Sequence, residues 1–197
     1  MDKSRNMVEI TPAFLGFLCA YCYFDPGHTF FPFLVSIFLH EAGHLAALFL
    51  CGAEIRGLRL EAPGASIETG SLPCGKELAA AAAGPAVNLL LFSLTLRKNP
   101  PFAMVNLCLL IFNLLPFYPL DGGRMLRALL SAFFSDRAVY LTEQVIGGIF
   151  FFSLLGGAVY LTCICHMGLW PILVWALLFL RVAWAKEEER RFLRLGS

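Results

Sequence analysis

His40-Glu41-Ala42-Gly43-His44 is the segment of this chain whose residue types and spacing could do chemistry. On a helix, positions four apart share a face. Both imidazoles can then reach one ion, and the spacing suits the bite of a tetrahedral zinc. Glu41 is turned by about 100° from His40, so it can stand beside the ion without ligating it. A carboxylate there is placed to take a proton from a water that the ion activates. The trio also sits near the middle of an apolar run, residues 29–51. Ionisable side chains in hydrocarbon cost roughly several kcal/mol each unless they are paired or bind metal, so a chance match is the poorer explanation.

A catalytic zinc needs a third protein ligand and an open position. Asp121 stands out, because Pro116, Pro119, Gly122 and Gly123 surround it at the end of an apolar run. Unwound backbone at membrane depth is tolerated where it lines an enclosed or watery cavity. Glu61, Glu68 and Glu77 lie in a polar loop or at its edge, and Glu143 lies near the start of a later run. These remain alternatives. His28 and His166 fall in turns expected on the outer side, away from the motif.

The elements that must position these residues are membrane helices. Of the 197 residues 58% are hydrophobic and only 15% charged, with a mean hydropathy of +0.72. A soluble domain carries about 25% charged residues. Here the charges collect between apolar runs at about 8–24, 29–51, 77–96, 102–118, 140–163 and 168–185. The pattern predicts an all-α polytopic membrane protein of about six transmembrane helices, forming a single membrane-embedded domain over residues 1–197. The first run lacks a small-x-small cleavage site and reads as a retained span. Asp25-Pro26-Gly27 reads as a tight turn. In the polar stretch between the second and third spans, residues 55–61 and 65–69 flank Ala62-Pro63-Gly64, which predicts a short β-hairpin-like loop. Residues 124–138, with Arg124, Arg127 and Arg137, suggest a short amphipathic helix, and residues 186–191 a solvated helix end.

Six spans put both termini on one side. Lys3, Arg5, Arg56, Arg59, Lys76, Arg124, Arg127, Arg137 and the basic residues from Arg181 onward share that side, with only Arg97 and Lys98 opposite. The positive-inside rule then predicts cytoplasmic termini. The formal net charge of +1, with no basic cluster interleaved with aromatics, gives no reason to expect nucleic acid as a partner. The seven cysteines lie mostly inside apolar runs. Cys19 and Cys22 form a C-x-x-C without a second pair, so packing is the better reading than a redox or zinc role.

Three elements together resemble the site-2 protease family of intramembrane zinc metalloproteases. They are His40-Glu41-Ala42-Gly43-His44, Gly84-Pro85-Ala86-Val87-Asn88, and Asn113-Leu114-Leu115-Pro116 followed by Pro119-Leu120-Asp121-Gly122-Gly123-Arg124. The whole chain resembles the compact bacterial branch that includes a sporulation protease acting on a pro-sigma factor, without a PDZ or CBS domain. The resemblance implies that His40, His44 and Asp121 bind Zn2+ and that Glu41 is catalytic. It implies that Asn88 and Asn113 support the site or the substrate, and that the protein lies in a bacterial cell membrane. Gly84, one turn before Asn88, allows close helix approach.

The expected function is hydrolysis of a peptide bond in a transmembrane or membrane-associated proprotein, with Glu41 as general base. A divalent-metal transporter is one competitor. It would want polar sites strung across the membrane, and this chain offers one compact cluster. An inactive relative that binds membrane proteins is another, and its usual mark would be a lost Glu41 or ligand.

Overall fold

The computed structural model describes residues 8–23, 29–61, 64–70 and 72–166, and beyond these only 172, 175, 176, 178, 179, 182 and 183. Two compact units emerge, residues 1–114 and 115–197.

In the first unit, strand β1 (Val8–Ile10) precedes helix α1 (Pro12–Tyr23). The sequence suggests one span from residue 8. Instead Val8, Glu9 and Ile10 pair in parallel with Leu58, Arg59 and Leu60 of strand β2 (Ile55–Glu61). Pro12 explains the boundary, since its fixed φ and missing N–H suit the first position of a helix. Strand β3 (Gly64–Thr69) runs antiparallel to β2, from Ile55↔Thr69 to Glu61↔Gly64, and the sheet order is β1-β2-β3.

Helix α2 (Phe30–Leu50) carries the histidine motif. Its end is fixed by Gly52 at φ 67°, with Gly52 N–H donating to the Phe49 carbonyl at 3.0 Å and Ala53 N–H to the Leu48 carbonyl at 3.0 Å. That bonding pair is the Schellman ending, in which glycine takes the left-handed position without strain. The Lys76 ammonium adds a bond to the Cys51 carbonyl at 2.8 Å. Helix α3 (Cys74–Thr95) and helix α4 (Pro100–Asn113) complete the unit. Asn99 caps α4 by accepting from Phe102 N–H at 3.3 Å, and prolines occupy the first helical positions, where no donor is needed. Helices α2, α3 and α4 pack on one another.

In the second unit a turn over residues 115–120 leads into helix α5 (Asp121–Ser131), which is followed by helix α6 (Asp136–Cys163). The fourth apolar run therefore stops being helical at Asn113, short of the predicted residue 118. Pro116 and Pro119 account for this, because each lacks a helix donor and disfavours helical geometry before it. The amphipathic helix starts at Asp121, three residues ahead of the prediction.

Among the described residues three helices, Phe30–Leu50, Cys74–Thr95 and Asp136–Cys163, are long and apolar enough to cross a membrane. Twenty-one residues of α2 rise about 30 Å, the thickness of a hydrocarbon core. Their outward faces carry exposed Phe31, Phe38, Phe49, Ile149 and Phe152, a surface suited to lipid. The chain is a mostly helical membrane protein. The six predicted spans are not all found among the described residues: α1 has 12 residues and α4 has 14. The sixth run, the turn at 25–27, His28 and the charged residues 186–191 lie mostly or wholly outside them.

Candidate metal centre

The buried residues of α2 are Ser36, His40, His44 and Leu48, one every four positions. This stripe faces α3 and α4. Glu41, next to it, is half-buried.

The two rings stand nearly perpendicular, at 83°, and their Nε2 atoms lie 3.1 Å apart. Each outer nitrogen is engaged by α3. His44 Nδ1 lies 2.7 Å from the Ala80 carbonyl. A carbonyl only accepts, so Nδ1 carries a proton, and in the neutral ring Nε2 keeps the lone pair that can bind a cation. His40 Nδ1 lies 3.1 Å from the Asn88 side-chain nitrogen, while Asn88 Oδ1 is buried without a hydrogen-bond partner. Turning the amide over resolves both points. Oδ1 then accepts from His40 Nδ1–H, the buried oxygen is satisfied, and His40 also offers Nε2.

Two lone pairs 3.1 Å apart repel unless a cation lies between them. An ion about 2.0–2.1 Å from each nitrogen subtends roughly 100° at that separation, near the tetrahedral angle. The donor set therefore fits zinc. Replacing Asn88 with leucine should lower zinc affinity about 10–100-fold, the usual cost of losing a ligand's hydrogen-bond partner. Asn88→Asp, which keeps an acceptor, should retain most of it. Competition with a chromogenic chelator measures both, and a leucine variant that binds zinc like wild type would refute the orienting role.

Gly84 makes the approach possible. A Cβ at this position would press on His44 Nε2 and lie 2.7 Å from His40 Nε2. From the other side, a Cβ on Gly43 would meet Val87 at 2.8 Å and the Ala83 carbonyl oxygen at 3.1 Å. Two glycines thus bring α2 and α3 into backbone contact. Pro85 interrupts the ladder of α3 in the same stretch by withholding the donor that the Ala81 carbonyl would take.

One turn before His40, Ser36 accepts from Asn106 Nδ2 of α4 at 2.9 Å, and the same nitrogen donates to the Phe102 carbonyl at 2.9 Å. Both side chains are fully buried. Sequence reasoning missed this pair. The available signal was an asparagine inside an apolar run, which must find partners away from lipid. Asn113 is the last residue of α4 and half-buried, and among the described residues no hydrogen bond ties it to the histidines.

In the second unit Asp121 is buried, and it opens α5. Helix N-termini stabilise negative charge, and Asp121 lies in the first turn of α5. Arg124, one turn on, comes to 3.9 Å from Asp121 Oδ1. Glu143 is gripped by Arg127 at 2.9 Å, which makes it a salt-bridge partner. Glu77 is half-buried in the first turn of α3, and His166 is exposed with φ 53°. The strand positions of Glu61 and Glu68 are described, but their side chains are not.

The fold is that of a site-2 protease. The solved site-2 protease from Methanocaldococcus jannaschii matches with a TM-score of 0.68 over 90% of this chain and 89% of that one, at 24% identity. Residues 101–157 match the model of Peptidase family M50. A putative zinc metalloprotease of Synechocystis is 30% identical over 92% of this chain, and a zinc metalloprotease of M. jannaschii is 34% identical over 49%. Stage IV sporulation protein FB of Bacillus subtilis is 32% identical over 50%. The chain spans 52%, 32% and 38% of these three relatives in turn. The chain is thus similar to a site-2 protease in fold, and in sequence to zinc metalloproteases and, over residues 101–157, to Peptidase family M50.

Proposed function

We propose that this protein is an intramembrane zinc metalloendopeptidase, with His40, His44 and Asp121 as ligands and Glu41 as general base. The observation that carries the reading is the convergence of the two Nε2 atoms at 3.1 Å, with Nδ1 of each ring engaged by α3. An arrangement that turns two ring nitrogens toward one point, each ring held from behind, is organised for a cation. The relatives' names, zinc metalloproteases in two cases, support peptidase chemistry.

Bound there, zinc would supply Lewis acidity, bringing the pKa of a water toward neutrality and polarising the scissile carbonyl. Glu41 takes the proton of the attacking water and returns it to the leaving nitrogen. Asn88 holds His40 in its ligating tautomer, Gly84 leaves room for both rings, and Asn113 supports the site or the substrate. Asp121 closes the ligand set: a buried carboxylate at the start of α5 is a third donor of the kind a catalytic zinc takes.

The substrate class is a transmembrane protein or membrane-associated proprotein. A helical substrate hides its carbonyls in hydrogen bonds and must be drawn out before attack. Strand β3, bonded to β2 on one side, offers its other edge for pairing with an extended segment. The reading includes six spans, cytoplasmic termini and one membrane-embedded domain.

Stripping the purified protein with a chelator should abolish cleavage of a membrane substrate, and zinc should restore it. Asp121→Asn should weaken zinc binding at least as much as losing an outer partner, about 10–100-fold. Cleavage that persists in the stripped protein would refute the metallopeptidase. Full occupancy of Asp121→Asn at limiting zinc would remove it from the ligand set.

A further inference from the structure

We infer that Arg127 and Glu143 are positioning residues for Asp121, acting through the turn that precedes it. The inference rests on the reading of Asp121 as a ligand. The turn over residues 115–120 has little internal support. Pro116 and Pro119 withhold two donors, and the main-chain bonds within it are Phe117 N–H to the Leu115 carbonyl at 2.9 Å and Leu120 N–H to the Phe117 carbonyl at 3.1 Å. Its shape must be set by what packs on it.

Two helices do this in the same way. On α5, Gly123 admits the turn: a Cβ there would press on the Phe117 carbonyl carbon and the Tyr118 nitrogen, and lie 2.6 Å from the Phe117 carbonyl oxygen. On α6, Gly147 admits it from another side, where a Cβ would lie 3.1 Å from Phe117 Cβ. Four residues after Gly123, on the same face, stands Arg127. Four residues before Gly147, on the same face, stands Glu143. Arg127 Nε donates to both carboxylate oxygens of Glu143, at 3.1 and 2.9 Å, and a terminal nitrogen reaches Oε2 at 2.9 Å. The face of the same guanidinium covers the Tyr118 ring, 4.8 Å from its centroid.

Each helix thus presents a glycine that lets the turn in and a charged residue that grips beyond it. A pair that only joined α5 to α6 would not need the ring. Only a planar guanidinium serves a carboxylate with its edge and a ring with its face. Glu143 is 7% exposed, so little solvent competes for it. Tyr118 lies three residues before Asp121, and the clamp therefore sets where the α5 N-terminus begins.

Cobalt(II) replaces zinc as the probe, since its visible absorption reports ligand geometry. Affinity for Co2+ and the spectrum are measured in detergent for wild type, Arg127→Lys, Glu143→Gln, the double variant and Asp121→Asn, with unfolding temperatures of the metal-free proteins alongside. Each clamp variant should bind Co2+ about 10–100-fold more weakly and shift the spectrum, with the metal-free unfolding temperature little changed. The double variant should be no worse than the singles, as for residues acting as one unit. Wild-type affinity and spectrum in both single variants would overturn the clamp, provided Asp121→Asn is impaired. Unimpaired Asp121→Asn would overturn the ligand reading and the clamp with it. Losses of affinity that track losses of metal-free stability would mean a merely structural pair.

Discussion

Glu41→Gln should lower peptide hydrolysis by about 10²–10⁴-fold, the range for removing a positioned general base, while zinc stays bound. Glutamine keeps the shape of the side chain and its half-buried place on α2, but it cannot take a proton. Zinc retention is the discriminating half of the result. The histidine pair is held by the Ala80 carbonyl and the Asn88 side chain, and Glu41 takes part in neither bond. A variant that lost zinc would show that Glu41 holds the site together. Unchanged hydrolysis would remove it as the base. Single-turnover measurement of kcat with zinc content on the same sample separates these cases.

Gly84→Ala should abolish zinc binding at limiting metal and, with it, cleavage. The added methyl would press on His44 Nε2 and sit 2.7 Å from His40 Nε2, in the space where the two lone pairs meet. Overpacking of a tight contact costs about 1–3 kcal/mol. Against this, alanine favours a helix interior by about 0.5–1 kcal/mol over glycine. The second term offsets only part of the first, leaving a net loss of up to about 2.5 kcal/mol, and the metal site has no compensation. The expected pattern is near-normal helical content and a modestly lowered unfolding temperature, with zinc affinity reduced more than a hundredfold. Circular dichroism and equilibrium dialysis report the two halves. Wild-type affinity would mean that the rings do not need the space Gly84 leaves.

The histidine pair was legible because its geometry is local: four residues on one helix decide it. The ends of α4 and α5 were partly legible for the same reason, through Pro116, Pro119 and the glycines after Asp121. Asn88 was flagged, but its bond to His40 depends on how α3 is set against α2. Ser36 and Asn106 were not seen, and the loss has a physical cause. In a helix facing lipid on one side and protein on the other, both sides are apolar, so periodicity does not report which face is buried. Short β1 was hidden inside an apolar run for a related reason, because three residues carry too little alternation to separate strand from helix. Glu143 remained open as a ligand in the sequence, because only its tertiary neighbour Arg127 gives it another occupation.

The close approach of α2 and α3 at Gly43 and Gly84 bears on how an ion would come and go. The histidine pair is held by the Ala80 carbonyl, the short Asn88 side chain and the close helix packing at Ala83, all in place once α2 and α3 meet. The ordering entropy is therefore met when the helices assemble. In small zinc-nucleated domains, by contrast, metal binding and folding are a single event. Exchange of an ion at the histidine pair should then be decoupled from the fold. Stripping and reloading should be reversible at constant helical content, with the ion adding only its mass-action increment to stability.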